Sequence, residues 1–563
     1  MLLACKKGNL DYVFDLYDIG FKIISQLGKP ESLQLIEYGD IFKELTIFES
    51  ECSAAYLIAE HYFDNKDPVS RAFLLIHSCQ LLIKNFTTLL HDRIKRIRRT
   101  LKEFTLKMID LCEDLNEADI FLSKDDGLLS VRGKKTMLPR ICLALHLKNN
   151  KFIVHEYSQL VARKYFTGEK DFKNTKNKEN IFLMVLQVLA TPIICIAYTL
   201  NKNGLILPCT GARNTFDGWY RHLHVPAYQL KIQSAVYMIM IITGDLTLTD
   251  ILNLRGDCKV DWYDIVSFIL AMGFMAIDLE QMYFLAGSVK SRRTDNCLQD
   301  TFYRLKYFLG NGFYVYRFIG HSSFVGGCIL KVIGYNLKWL QPEDSDSGLG
   351  EDQCNVSKYK GYHMVNIGNT LQGIAIMIVI SQLLQLLRLR PDTSMIYAAM
   401  QKSLKTVLSF TFFYLTIMCA FSLSIYHVVH ESHSTNSTGF KLEEKEEFNT
   451  WPHSLKTLVW VTFADASPEV FDDREGISRY AGLTLFWLFN FATALVLMNL
   501  LIAVMSNIMS TLSDNKVNAW KCHRLKLWMQ YCNNGVVLPP PMNLLDALIT
   551  TPVRLFKRNK HDQ

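Results

Sequence analysis

Residues 480–513 contain no Asp, Glu, Lys or Arg, a run of 34 positions. Such a run is hard to place in a water-soluble core, whereas about 20 apolar residues suffice to cross ~30 Å of hydrocarbon. Residues 180–201, 361–387 and 406–430 are also free of those four residue types. Three weaker segments, 232–244, 265–277 and 318–330, have charge-free centres of 13 residues. Lys231, Asp278, Glu280 and Arg317 lie at or near their edges. Charges at such depth are expensive unless they face a bundle interior or reach an interface. A mean hydropathy of +0.10 agrees with a membrane-embedded chain. The first 180 residues differ: charges recur every few positions, as in a helical region in water.

Two handles give topology. Lys290, Arg292, Arg293, Arg304 and Lys306 cluster in one connection, and Arg388, Arg390, Lys402 and Lys405 in another. Lys/Arg bias places both connections, and the basic C-terminal tail, in the cytoplasm. The acidic stretch 343–352 then lies outside. The sequons at Asn355 and Asn436 fall in segments this rule places outside, and both are glycosylation candidates. With both termini cytoplasmic, seven spans cannot all cross. Residues 181–200, with Pro192 in their middle, are the segment expected to dip or lie on the surface.

Several functional classes are excluded. The chain has 61 basic and 54 acidic residues, a mild net charge of +7 that gives no case for nucleic acid. The 14 cysteines have no CxxC pairs, and neither a structural metal nor a cofactor is indicated. No enzyme motif with supporting context occurs. No internal repeat of the transporter kind is found.

Six spans are read, at about 225–245, 262–285, 307–334, 364–388, 405–429 and 480–509. The gap between the last two contains an amphipathic stretch from Trp451 to Phe463, then Ala464 and Asp465. Six spans with a short helix and turn between the fifth and sixth is the plan of tetrameric cation channels. A short re-entrant helix points its negative C-terminal dipole at the pore. The turn after it supplies carbonyls and an acidic ring from Asp465. The expected fold is therefore an all-α membrane protein of six transmembrane helices with a re-entrant pore helix, preceded by a helical cytoplasmic N-terminal region.

The end of the sixth span reads LMNLLIAVM over 497–505, followed by AWKCHRLKLWM over 519–529 and LPPPMN over 538–543. This series resembles transient receptor potential channels of the TRPC type, in which LNMLIAMM, EWKFAR, LWMSYF and LPPPFN follow one another. Upstream, DPVSRAF (67–73), the 101–115 helix and the 140–165 segment resemble N-terminal stretches of the same family. Met1 to Tyr17 resembles one ankyrin repeat, so a short or truncated member is expected. Residues 22–50 hold no Cys or His, so the family's zinc cluster is not expected.

The resemblance implies a selectivity filter at Phe463, Ala464 and Asp465, where Ala464 stands in place of the expected glycine. It implies a lower gate at Ile502, Ser506 and Ser510, and a TRP box around Trp520, Lys521 and Arg524. Asp278 and Gln281, one turn apart, align with an acid and an amide that bind cytosolic Ca²⁺ in related channels. The remaining ligands align with Arg304 and Tyr307, so an internal salt bridge is favoured over an ion there. Arg388 and Arg390 read as interfacial anchors rather than voltage-sensing charges. The basic run 93–102 is a solvated helix face, or a site for calmodulin or phosphoinositide.

The implied domain map runs as follows. Residues 1–22 are a partial ankyrin-like repeat, and 23–180 a helical cytoplasmic N-terminal domain. Residues 181–224 are a membrane-associated segment, and 225–390 the domain of the first four spans. Residues 391–510 hold the fourth-to-fifth linker and pore domain, and 511–563 the TRP-box helix and a short tail. The implied function is a nonselective, calcium-permeable cation channel subunit of the plasma membrane, tetrameric and receptor- or lipid-activated. Expected partners are related subunits, diacylglycerol or phosphoinositides, calmodulin, and permeant calcium and sodium. The alternatives are a non-conducting regulatory subunit that co-assembles with relatives, and a secondary transporter.

Overall fold

A computed structural model of the chain describes residues 2–7, 10–19, 22, 41–85, 88–124, 136–168, 190–199, 223–252, 262–287, 312–339, 362–434, 450–462, 477–513, 515–533, 538–546 and 548. Among these, secondary structure is all helical. The chain divides into two compact units, one of Met1–Leu386 with Lys521–Gln563 and the other of Leu387–Trp520.

Among the described residues, the first unit begins with ten helices: α1 (Leu2–Lys7), α2 (Leu10–Asp18), α3 (Ile41–Glu51), α4 (Ala54–Asp64), α5 (Pro68–Asn85), α6 (Thr88–Asp110), α7 (Leu115–Ser123), α8 (Pro139–His146), α9 (Asn150–Val154) and α10 (Glu156–Thr167). The start of α5 shows how sequence sets local structure. Asp67 precedes Pro68, which needs no amide hydrogen at the first helical position. The Asp67 carboxylate accepts from the Ser70 backbone N–H at 2.9 Å and caps the helix. The same carboxylate meets buried Arg140 of α8 at 2.7 Å. Arg71, one turn on, pairs with Glu51 and Glu60, while Ala72 and Phe73 enter the core. The DPVSRAF stretch is thus a folding device.

The basic run 93–102 lies on α6 and divides by direction. Arg93 pairs with Glu49 at 2.6 Å. Arg98 and Lys102 donate to the carbonyls of Leu147 and Lys148, and Gln80 donates to Leu147 as well. These carbonyls close the C-terminal end of α8, where cations are favoured. Lys95, Arg96 and Arg99 are left facing solvent.

The described part of the expected dipping segment is α11 (Ala190–Thr199), with Pro192 near its start. A four-helix bundle follows in the same unit: α12 (Pro226–Leu252), α13 (Trp262–Gly287), α14 (Gly312–Trp339) and α15 (Tyr362–Leu383), which tightens to 3₁₀ over Leu384–Leu389. Its core joins Ile232, Val236 and Met240 of α12 to Leu270, Phe274 and Ile277 of α13, Phe324 and Val325 of α14, and Ala375 and Val379 of α15. The three- and four-residue spacings are those of one helix face. The opposite faces carry exposed Ile239, Ile242, Ile265, Ile269, Ile329 and Met377. Apolar residues on both faces suit a helix in lipid.

Helices α14 and α15 approach to backbone distance. A Cβ on Gly327 would stand 2.7 Å from the Gly368 carbonyl oxygen, and one on Gly368 2.8 Å from that of Gly327. Small residues at a helix crossing permit such contact. Gly327→Leu is expected to destabilise the bundle by about 1–3 kcal/mol, the usual cost of overpacking. Gly326→Leu, where nothing lies within 4 Å, should change the melting temperature little. Thermal unfolding of the two purified variants in detergent checks this.

The second unit contains α16 (Pro391–Ser434), α17 (Trp451–Thr462), α18 (Ile477–Phe491), a π-helical stretch over Ala492–Leu497, and α19 (Met498–Ser513). The sequence separates a linker from a span beginning near 405. The structure runs both into one 44-residue helix, since no Gly or Pro occurs after Pro391 to break it. The last helix, α20 (Lys516–Cys532), crosses the division between the units at Trp520/Lys521. Four described helical stretches are long and apolar enough to cross a membrane: Trp262–Gln281, His363–Leu389, Thr406–Val428 and Arg479–Ser513.

Candidate functional site

Within the second unit, α17 is a short helix held between two long ones. Its buried face, Ser454, Thr457, Leu458 and Val461, meets Met418 and Ile425 of α16 and Phe486 and Phe489 of α18. Ser454 donates to the Ser422 carbonyl at 3.0 Å, and the Tyr414 and Thr462 hydroxyls are hydrogen-bonded. The C-terminal end of α17 is therefore anchored on α16, and the expected filter begins one residue later. Phe463, Ala464 and Asp465 themselves lie outside the described residues, as do Asn355 and Asn436.

The helix carrying the expected gate is interrupted. Between Ala492 and Leu497 the backbone turns π-helical. Thr493 bonds back to the Phe489 carbonyl at 2.8 Å and Asn490 to that of Phe486 at 3.1 Å. Such local stretches mark places where a helix can bend or rotate. Beyond it, α19 has no buried residue. Ile502 is 63% exposed, and Ser506 and Ser510, at four-residue spacing from it, are exposed too. An apolar helix with no fully buried residue leaves apolar surface for lipid or another subunit to cover.

The TRP-box residues fall on α20. In the second unit, Trp520 Nε1 donates to the Leu389 carbonyl at 3.2 Å and Lys516 pairs with Asp392 at 2.9 Å, both at the entry to α16. Arg388 bonds the Tyr397 hydroxyl and lies over its ring. In the first unit, the Lys521 carbonyl accepts from Gln159 at 3.2 Å, and Arg524 donates to the same amide at 2.8 Å. Arg524 also covers the Trp528 ring, which stacks on Phe166 at 5.4 Å. Leu525, Leu527 and Met529 are buried beside them. The C-terminal LPPPMN stretch reaches α13: Asn543 donates to the Gly273 carbonyl at 2.8 Å, and a Cβ on Gly273 would meet Pro540 at 2.9 Å.

Asp278 and Gln281 are brought together inside the four-helix bundle. Asp278, 1% exposed, is ion-paired with Arg317 through one oxygen and hydrogen-bonded to His321 Nδ1 at 2.6 Å through the other. Arg317 also donates to the Gln281 side-chain oxygen. His321 is fully buried and stacks near the Tyr237 and Phe274 rings at 5.9 and 5.1 Å. Arg304 and Tyr307 lie outside the described residues. At the other end of the bundle, buried Lys331 faces Asp264 at 3.8 Å. Arg317 and Lys331 thus both point their charges inward, which is where intramembrane charges are tolerated. Sequence reasoning missed Arg317 and His321 as partners. The signal was available: they stand four apart, on one face of a helix otherwise apolar at its centre. Among the described residues there is no group of three or more His, Cys, Asp or Glu placed to hold a metal ion.

Comparisons with known proteins agree with this architecture. The profile of a family described as calcium channel YVC1-like, C-terminal, matches residues 352–563. The transient-receptor-potential-like protein of Drosophila melanogaster is 21% identical over 99% of this chain and 50% of its own length. Human short transient receptor potential channel 4 is 22% identical over 86% of this chain and 46% of its own length. The chain thus spans about half the length of the curated relatives it matches. Among solved structures, the thermo-sensitive channel TRP1 of the alga Chlamydomonas reinhardtii, imaged in nanodiscs, superposes with a TM-score of 0.58. It is 13% identical, and the match covers 94% of this chain and 62% of that one. The human relative and the algal structure are channels by name. As in a membrane-spanning fold, the described residues include four helices long and apolar enough to cross a bilayer.

Proposed function

Because this chain is a relative of the transient receptor potential channels, similar to them along nearly all its length, we propose that it is a nonselective, calcium-permeable cation channel subunit that works as a tetramer in the plasma membrane. The observation that carries the reading is α19, an apolar helix with no buried residue in its own chain. Four copies around an axis cover that surface and leave Ile502 facing a shared aqueous route. On this reading α12 to α15 are the first four spans, although only α13 and α15 pass on length and apolarity alone. Two of the charges that α14 carries, Arg317 and Lys331, are buried and face carboxylates.

The fifth span is the 406–428 part of α16, and α18 with α19 is the sixth. Helix α17 is then the re-entrant pore helix, and Phe463, Ala464 and Asp465 form the filter. The gate is Ile502 with Ser506 and Ser510, where a ring of apolar side chains holds ions back by dewetting. Rotation at the π stretch 492–497 would swing that ring aside. Trp520, bonded to the entry of α16, transmits movement of the linker to the gate helix. Both termini are cytoplasmic by the Lys/Arg bias, and the opening signal is receptor- or lipid-derived. Ala464 favours a second reading, a subunit silent alone that conducts with relatives.

Whole-cell recording tests both readings. Expression of this chain is expected to give a cation current whose calcium permeability falls with Asp465→Asn. Ile502→Ser should raise the resting current severalfold, since a polar ring no longer dewets the constriction. Current only on co-expression with a relative establishes the second reading. Ion-coupled solute uptake without unitary current would overturn both.

A further inference from the structure

The bundle of α12 to α15 carries its own cation. We propose that Asp278 and Gln281 hold no divalent ion in this chain, because the Arg317 guanidinium stands where such an ion would sit and bridges α13 to α14 without metal. In related channels the aligned acid and amide bind Ca²⁺, and the donor set here does not fit that ion. Ca²⁺ takes six to eight oxygen ligands. The Asp278 and Gln281 side-chain oxygens are already engaged. Both Asp278 oxygens face Arg317 and His321, and the Gln281 oxygen accepts from Arg317. Beside them among the described residues are an imidazole and the rings of Tyr237, Phe274 and Tyr314. Nε2 of His321 is buried without a hydrogen-bond partner, so that side adds no oxygen. A second cation would also lie within a few ångströms of a fixed positive charge in a medium that screens poorly.

The guanidinium matches a carboxylate and an amide oxygen with its planar fork of N–H groups. It therefore joins the two helices in the way a shared ion would, but covalently tethered to one of them. The bridge cannot respond to the level of free calcium. Removing the guanidinium should open a vacancy lined by a carboxylate, an amide and an imidazole. Imidazole suits a transition metal such as zinc, and carboxylate and amide oxygens suit manganese, which serves as the probe.

Thermal unfolding of the purified full chain in detergent tests this, and it reads the bridge whether or not the chain conducts. Wild type should melt at the same temperature, within about 1 °C, in EDTA, millimolar Ca²⁺ or millimolar Mn²⁺. Arg317→Asn should melt lower in EDTA and recover by about 5 °C in Mn²⁺ at a hundredfold excess over its Kd. Adding Asp278→Asn to that variant should abolish the recovery. Arg317→Lys, which keeps the charge, should remain insensitive to Mn²⁺. If Arg317→Asn does not fold, the wild-type and Arg317→Lys measurements still decide. A calcium-dependent rise in wild type that disappears with Asp278→Asn would overturn the proposal.

Discussion

Truncating Asp278 to alanine is expected to cost about 3–5 kcal/mol, the usual penalty for removing one partner of a buried ion pair. The size follows from what remains. Arg317 is 9% exposed and His321 fully buried, so neither can turn to water when the carboxylate is gone. Arg317→Ala should cost a similar amount, because Asp278 is then left facing only His321. Replacing both by apolar residues of similar volume, Asp278→Leu with Arg317→Met, should restore most of the loss. Buried pairs often contribute little net stability over a well-packed apolar substitute. Unfolding of the three variants in detergent measures this. A single-variant loss below about 1 kcal/mol would mean that the triad is hydrated.

The second large effect lies in the N-terminal helices. Asp67→Ala removes the cap of α5 and the carboxylate beside Arg140 at once. Losing a cap costs about 1 kcal/mol, and depriving a buried guanidinium of its carboxylate about 3–5 kcal/mol. The pH dependence has a definite sign. Burial alone would raise the Asp67 pKa. The Arg140 guanidinium and the hydrogen bonds from Ser70 and Lys124 outweigh it and bring the group from its ordinary 3.8 down to about 2. The stabilisation is therefore complete above the unfolded value and is lost as pH falls through the folded one. Asp67→Asn should flatten the acid limb of the stability curve between those values and lower the plateau above it. An unchanged acid limb would assign the stabilisation to other carboxylates.

Much of this architecture is legible in the sequence because a bilayer imposes long charge-free runs. Residues 361–387, 406–430 and 480–513 announce α15, the apolar part of α16, and α18 with α19. Helix α14 is harder to read. Its charges at 317 and 331 shorten the apolar run, and nothing in one dimension says that both face inward. The partner of Asp278 depends on the register of α13 against α14, which is a tertiary fact. Alignment pointed to Arg304, while the structure pairs Asp278 with Arg317 and His321, 13 and 17 positions further on. The basic run on α6 misleads for a related reason. Composition marks it as a surface patch, but Arg98 and Lys102 are used to close α8. Asp67 before Pro68 was readable as a helix start; that Arg140, some seventy residues away, completes its partners was not. The expected filter, Phe463 to Asp465, is legible only as a motif and lies outside the described residues.

On the proposed function, copies of this chain enclose an axial path lined by α19. Single-particle imaging of the purified chain in lipid nanodiscs tests this. The expected image is a fourfold assembly with Ile502 at the narrowest point of the axis. Monomers or dimers, with α19 turned to lipid and no central opening, would rule out a shared pore.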